Sequence, residues 1–420
     1  MGVDVMRDLK MAEISLAKVK DVDKLGEEAA EVLKDFRADL RIKTEIKEAI
    51  DNINVVADYQ LTPELADQVD DLILTSPALV VKNGQVNIAG VEGFGLTITP
   101  SEWRKTRMFA LKDILDETYR NIKRWANALS DNFNTRWIEL TTTTKILQER
   151  LDELNDNLEH LTEIREGVTE IELNELVARS LSKSGKLIQG DLAKGIQQEV
   201  NFIFTCMKLV EMEQIRFKNS IIKYFGNDNS TDITEIHRDI PKVFDVRATV
   251  VGDNADKLIA RRSKPMMGGF AFEASELNKD WVKKDILGDK PTADYAEALG
   301  LTGFRTVVED TRINKTGIKV LSMAQMFIIA DTVQSIINKL NQINIEDDPV
   351  NFNPDDVKDV LKHLRAVDAA DDRGMQYGLI TADYQFNTNS FKTEVASKLV
   401  VTASHILTML NHNASCYNAE

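Results

Sequence analysis

Between Pro100 and Gly167 the chain contains neither proline nor glycine, and one apolar stripe runs through the whole interval. Thr99-Pro100-Ser101-Glu102 has the form of a helix start. Thr99 can accept from the N3 amide, Pro100 suits the first helical position, and Glu102 can close a capping box. The stripe comprises Leu111, Leu115, Thr118, Ile122, Trp125, Leu129, Phe133, Trp137, Leu140, Thr144, Leu147, Leu151, Leu154, Leu158 and Leu161. From Phe133 onward the spacing settles into a three-four alternation, which is a heptad seam, after a stutter of four-residue steps between Trp125 and Trp137. A continuous helix from Thr99 to about Ile164 is expected. At about 1.5 Å per residue it would outrun the diameter of an ordinary domain, so it needs partners along its length.

A matching stripe follows. Ile171 to Leu181 reads as a short helix, broken by Ser182-Lys183-Ser184-Gly185. A second long helix is expected from about Leu187 to Phe225, with Ile188, Leu192, Ile196, Val200, Ile203, Met207, Val210, Phe217 and Ile221 on one face and an end near Gly226. Two long stripes joined by a short segment predict an antiparallel helical hairpin. The fold class expected is therefore mainly α: two very long antiparallel helices, a small β-containing insert, and a C-terminal helical section.

The remaining stretches complete a four-part organisation. Residues 1–98 read as an N-terminal helical arm with a small β-hairpin, in which Leu79-Val80-Val81-Lys82 and Gln85-Val86-Asn87-Ile88 flank Asn83-Gly84. Gly90, Gly93 and Gly95 lack the strand-to-helix context of a phosphate loop and read as loop residues. Residues 99–226 hold the hairpin. Residues 227–320 are mixed α/β or loop-rich, with short strands near Val243-Phe244-Asp245-Val246 and Phe270-Ala271-Phe272-Glu273, a solvated turn at Arg261-Arg262-Ser263-Lys264, and a small helix at Ala293–Leu299. Residues 321–420 are helical. A capping box at Ser322-Met323-Ala324-Gln325 opens a helix with Phe327, Val333, Ile336, Ile337 and Leu340 inward. Asn353-Pro354-Asp355-Asp356 opens another, Asp368 to Gly374 is an acidic loop, and Thr393–Asn413 closes the chain with Val395, Leu399, Ile406, Met409 and Leu410 buried.

Charge and cysteine content narrow the function classes. The formal net charge is −16, so the chain as a whole opposes phosphate contact, and tight nucleic-acid binding is not expected. Cys206 and Cys416 supply neither a disulfide framework nor a zinc set. The first twenty residues alternate charged and apolar side chains without a hydrophobic stretch of the secretory kind. The run Met323–Ile329 is far too short to span a bilayer, and no membrane span is expected. His405 and His412 lie two turns apart on the closing helix, but no Asp, Glu or Cys is spaced to complete a metal site with them. No nucleophile elbow, zinc-protease, P-loop or EF-hand motif is present. No catalytic residue, metal ligand or cofactor-binding residue, and hence no cofactor, is expected.

The order of elements carries a resemblance. A long helix bearing Trp103, Trp125 and Trp137 leads into a Leu-rich segment, then the Ser182-Lys183-Ser184-Gly185 break and another long helix. There follow Pro265-Met266-Met267-Gly268-Gly269-Phe270, a helix start at Leu321-Ser322, and a closing helix ending Ser415-Cys416-Tyr417. From about Trp103 to Tyr417 this succession resembles the internal head, or inner-body, virion structural proteins of large tailed bacteriophages. The resemblance implies a non-enzymatic structural protein made in the host cytoplasm and packed inside the capsid with the genome. It implies association with itself or with other phage head proteins, in some cases delivery into the host, and no catalytic residues. In some members it also implies trimming by a prohead protease that cuts after Glu, a pattern that Leu25-Gly26-Glu27 and Ala29-Ala30-Glu31 fit, the alternative being that they are an ordinary helix face. The alternatives from other classes are an enzyme with a site in residues 230–350 and a cytoplasmic coiled-coil scaffold.

Overall fold

The computed structural model describes residues 142–188, 190–226, 233–250, 255–283, 292–309, 313, 316–342, 349–352, 360 and 372–419. The N-terminal arm, the Asn83-Gly84 hairpin, the first part of the long stripe and the helix expected at Asn353-Pro354 lie outside the described residues.

The described part of the long stripe is a helix over 142–159, here α1. Its seam residues Thr144, Leu147, Leu151, Leu154 and Leu158 are all buried. The helix does not reach Ile164. It stops before His160, and Leu161–Ile164 forms strand β1, paired antiparallel with the C-terminal strand Tyr417–Ala419 (β10). Two further pairings stitch the next stretch together. Glu170–Glu172 (β2) pairs with Gly317–Lys319 (β9), and Ser182–Lys183 (β3) pairs with Lys186–Leu187 (β4). Between them lies helix α2, Glu175–Ser180, whose first turn is capped by the Asn174 side chain accepting from Val177 N. The tight β3–β4 turn places Ser184 and Gly185 at φ 50° and 73°, a left-handed conformation that favours glycine.

Helix α3, Leu192–Phe225, is the second long helix. It starts at Leu192 with Asp191 as N-cap, not at Leu187, because Lys186 and Leu187 are used in the β3–β4 hairpin. Gly226 ends it. Six residues of its predicted stripe with no surface to speak of, Ile196, Val200, Ile203, Val210, Phe217 and Ile221, lie in the core, and Cys206 packs with the first four.

A four-stranded antiparallel sheet follows in the order β5 (Val246–Ala248), β6 (Leu258–Arg262), β7 (Phe270–Leu277) and β8 (Gly303–Val308). Short helix α4 (Lys279–Trp281) and helix α5 (Thr292–Gly300) connect β7 to β8. The sheet corrects the reading of Arg261-Arg262 as a solvated turn, since both lie in β6 and pair with Ala274 and Glu273. Helix α6, Met323–Gln342, opens with the Ser322 capping box: Gln325 N donates to Ser322 Oγ at 3.3 Å and Ser322 N donates back to Gln325 Oε1 at 3.0 Å. Val333, Ile336, Ile337 and Leu340 face inward, whereas Phe327 is exposed and Met326 and Ile329 take the buried positions. Helix α7 runs from Asp372 to Ala414, beginning well before Thr393, and takes in Gly374 where an acidic loop was expected.

Two very long antiparallel helices in a hairpin are therefore not what forms. Among the described residues there are seven helices, the four-stranded sheet and three two-stranded ribbons. Helix α1 finds side-chain hydrogen-bond partners, among the described residues, in the C-terminal part of the chain. Thr144 donates to Asn341 and Gln148 bonds Gln334 on α6, while Arg150 donates to Ser404 and Thr408 on α7. These contacts make α1 antiparallel to α6. Arg150 at Ser404 and Thr408, followed by β1 at β10, sets it parallel to α7. Among the described residues the buried apolar side chains form two clusters. The larger joins α1, the first part of α3, the sheet, α6 and the last part of α7; the smaller joins the end of α3, α4, α5, Val350, Phe352 and the first part of α7.

Candidate functional site

The described residues that could carry chemistry fall into three buried polar centres, each of which can be built from its sequence neighbourhood. The first is on the sheet. Glu273 lies in β7 directly opposite Arg262 of β6 and Arg305 of β8, so the three side chains share one face. Arg262 Nε donates to Glu273 Oε2 at 2.6 Å and Arg305 Nε donates to Oε1 at 2.7 Å, with Arg305 Nη2 on the same oxygen. The Glu273 carboxylate is buried, and both of its oxygens are occupied by charge-assisted bonds. It acts as the link across three strands. Next to it on β8, Thr306 donates from N and Oγ1 to Glu394 at 2.8 and 2.7 Å, tying the sheet to α7.

The second centre is Arg238, which follows the 3₁₀ turn Ile233–Glu235. Its guanidinium lies 3.9 Å from the Phe217 ring centre and within 6 Å of those of Phe304 and Tyr384, at 5.5 and 5.9 Å. Arg238 Nε donates to Thr302 Oγ1 at 3.2 Å, and Nη1 has no hydrogen-bond partner. Burial pushes its pKa down to about 10, so it keeps its charge at neutral pH. Near it, Glu213 accepts a two-pronged bond from Arg216 at 2.7 and 2.9 Å and another from Asp239 N at 2.8 Å.

The third centre is Ser180–His405. Ser180 Oγ and His405 Nδ1 share a hydrogen bond of 2.5 Å between α2 and α7, both residues buried. Desolvation, together with the nearby Arg150 charge, lowers the His405 pKa to about 4. A serine beside a neutral histidine is half of a nucleophilic arrangement. Burial of both partners, and the positive charge of Arg150 nearby, set it against that chemistry.

The histidine pair read from the closing helix is not brought together: His405 is inside and His412 is exposed. Cys206 is buried and its thiol is pushed up to about 12 by desolvation, which keeps it protonated. No group of three or more His, Cys, Asp or Glu side chains among the described residues is arranged to hold a metal ion. Glu27 and Glu31 lie outside the described residues. Glu273 and Arg238 were missed in the sequence. A glutamate inside Phe-Ala-Phe-Glu-Ala-Ser was the available signal for the first, since a charge in an apolar strand requires a partner; nothing local marked Arg238.

These centres fasten elements to one another, and the class of protein they define is one whose described residues put their buried charges to structural use. The chain matches the model of the phiKZ-like phage internal head proteins over residues 15–412, and it belongs to that family. It is thus a virion structural protein located inside the phage head and made in the host cytoplasm. No curated protein and no solved structure matches it. No helix among the described residues is long and apolar enough to cross a membrane.

Proposed function

We propose that the protein is a non-enzymatic component of the head interior that associates with copies of itself or with other head proteins, and that its N-terminal arm is trimmed during maturation. The observation that carries the non-enzymatic part is the engagement of the buried ionisable groups: Glu273 in an arginine fork, Glu213 in a second, and His405 against Ser180. The region proposed for an enzyme site, residues 230–350, contains the first of these, and its charges serve the sheet.

The genome shares the compartment, yet tight DNA contact is not part of the proposal. A net charge of −16 opposes it, and Arg262 of the Arg261-Arg262-Ser263-Lys264 run is paired with Glu273. Glu27 is the favoured cleavage point over Glu31, because Gly26 weakens a helix by about 1 kcal/mol relative to Ala and eases the extended conformation a protease needs.

Quantitative mass spectrometry of DNA-filled heads separated from tails, with the chain's N-terminus read in the same sample, tests the reading. Many copies per head and a start at Glu28 or Val32 are expected. One or a few copies per particle would contradict a structural filler, and an intact start near Met1 or Gly2 would overturn the trimming. Fluorescence anisotropy of labelled duplex DNA at physiological salt should show no tight binding; tight binding lost on replacing Arg261 and Arg262 would reverse the view of nucleic-acid contact.

A further inference from the structure

The two apolar clusters are separated by a layer of buried polar groups, and both long helices change character at the same level. On α3, Val210 belongs to the larger cluster and Phe217 to the smaller; Glu213 and Gln214, both buried, lie between them. On α7, Tyr384 belongs to the smaller cluster and Phe391 to the larger; between them lie Gln385, half-buried Phe386, which belongs to neither cluster, and the polar run Asn387, Thr388, Asn389 and Ser390. Arg238 sits in this layer, stacked on Phe217 and Tyr384 of one cluster and on Phe304 of the other. Asn387 Nδ2 bridges to the carbonyls of Gly300 and Thr302 at 3.2 and 3.3 Å. Two atoms of the layer, Arg238 Nη1 and Asn389 Oδ1, are buried without a hydrogen-bond partner.

Cooperativity between parts of a fold comes from apolar contact that is lost together. A layer with few such contacts, and with buried polar groups left unpaired, transmits little of it, because opening the layer returns those groups to water. We propose that this layer divides the described fold into two cooperative units. The smaller cluster, formed by the end of α3, α4, α5 and the start of α7, opens as a body while the larger stays closed. The continuous backbones of α3, α7 and β7 hold the two units in line, and the Arg238 stack is a side-chain link between them. The device gives the molecule one end that can be remodelled without loss of the rest.

Native-state hydrogen exchange on the full-length chain, followed by mass spectrometry over a series of low urea concentrations, reads this directly. Peptides covering 217–225, 295–299 and 377–384 should share one opening reaction. They should exchange at least about tenfold faster than peptides covering 147–158, 196–210 and 395–410, which share a second. A single opening reaction for all six would overturn the proposal. Two variants then ask whether the layer is the cause: Asn389→Leu and Arg238→Met each replace a polar member by an apolar one. Each folded variant should narrow the gap between the two sets to about threefold or less. Two units whose separation is unchanged in either variant would remove the layer as their origin. Should one variant fail to fold, the other decides, and the wild-type exchange alone still settles whether two units exist.

Discussion

Acidification should destabilise this protein through one identifiable side chain. His405 is buried between α2, which offers Ser180, and α1, which brings Arg150; burial is the larger cause of its low pKa and the Arg150 charge the smaller. Above pH 7 the imidazole is neutral in the folded and unfolded chains and contributes no pH dependence. Below its ordinary pKa of 6.5 the unfolded chain takes up a proton that the folded chain refuses until about pH 4. Stability is therefore fully present above about pH 6.5 and is lost as the pH falls through that window. A difference between 6.5 and about 4, at about 1.36 kcal/mol per pH unit, amounts to about 3 kcal/mol. His405→Asn keeps an amide near the Ser180 hydroxyl and removes the titration. Urea unfolding of wild type and variant between pH 7.5 and 4 cancels the carboxylates common to both. The advantage of wild type over variant should shrink by about 3 kcal/mol across the series. Curves that stay parallel within about 0.5 kcal/mol would show that the imidazole is solvated or already charged, and the argument from burial would fail.

Three further outcomes are expected. Glu273→Gln, which leaves Arg262 and Arg305 without their shared carboxylate, should cost about 1–3 kcal/mol in urea unfolding; the arginines are 37% and 67% exposed and recover water, so the larger penalty of a fully buried pair does not apply. An unchanged midpoint would show that the fork contributes nothing. Leu151→Ala should lose about 2–5 kcal/mol by opening a cavity in the larger cluster, and Leu147→Asp with Leu154→Asp should prevent folding, whereas a folded, equally stable double variant would show the seam is not core. Ending the chain at Ser415 removes β10 and the Tyr417 hydroxyl that donates to Leu321 O at 2.6 Å; early hydrogen exchange in 161–164 is the expected result, and unchanged protection there would show that β1 does not depend on β10.

The heptad spacing from Thr144 to Leu158 was legible because each seam residue is buried whatever covers it, and the stripe of α3 was legible for the same reason. The end of α1 was not. Nothing local to Leu161–Ile164 forbids helix; the strand there exists because residues 417–419 come alongside, and a pairing so distant in sequence leaves no periodic trace. The same cause hid the partners of α1. A stripe states that a face will be covered but not by what, so the nearest matching stripe in sequence, α3, is the expected partner, while among the described residues side-chain bonds of α1 run to α6 and α7. Charge patterning misled at β6, where alternation along a strand puts Arg262 beside a buried glutamate rather than in solvent.

Helix α7 shows most plainly where periodicity stops being informative. From Gln376 to Tyr384 every residue is buried, so there is no polar face for a 3.6-residue pattern to contrast with. From Asn387 to Ser390 the sequence is polar yet still helical, and Thr388 and Asn389 are buried. Short polar side chains such as these favour caps and turns when read locally, which is why the helix was expected to begin only at Thr393. Their persistence inside a helix requires the tertiary structure to supply what local propensity does not. Here the Asn387 amide reaches the carbonyls of Gly300, the last residue of α5, and of Thr302. The segment that defeats the sequence reading is thus the same segment that forms the polar layer between the clusters. Both follow from one choice of residues: a long helix kept continuous through a level at which the core itself is not.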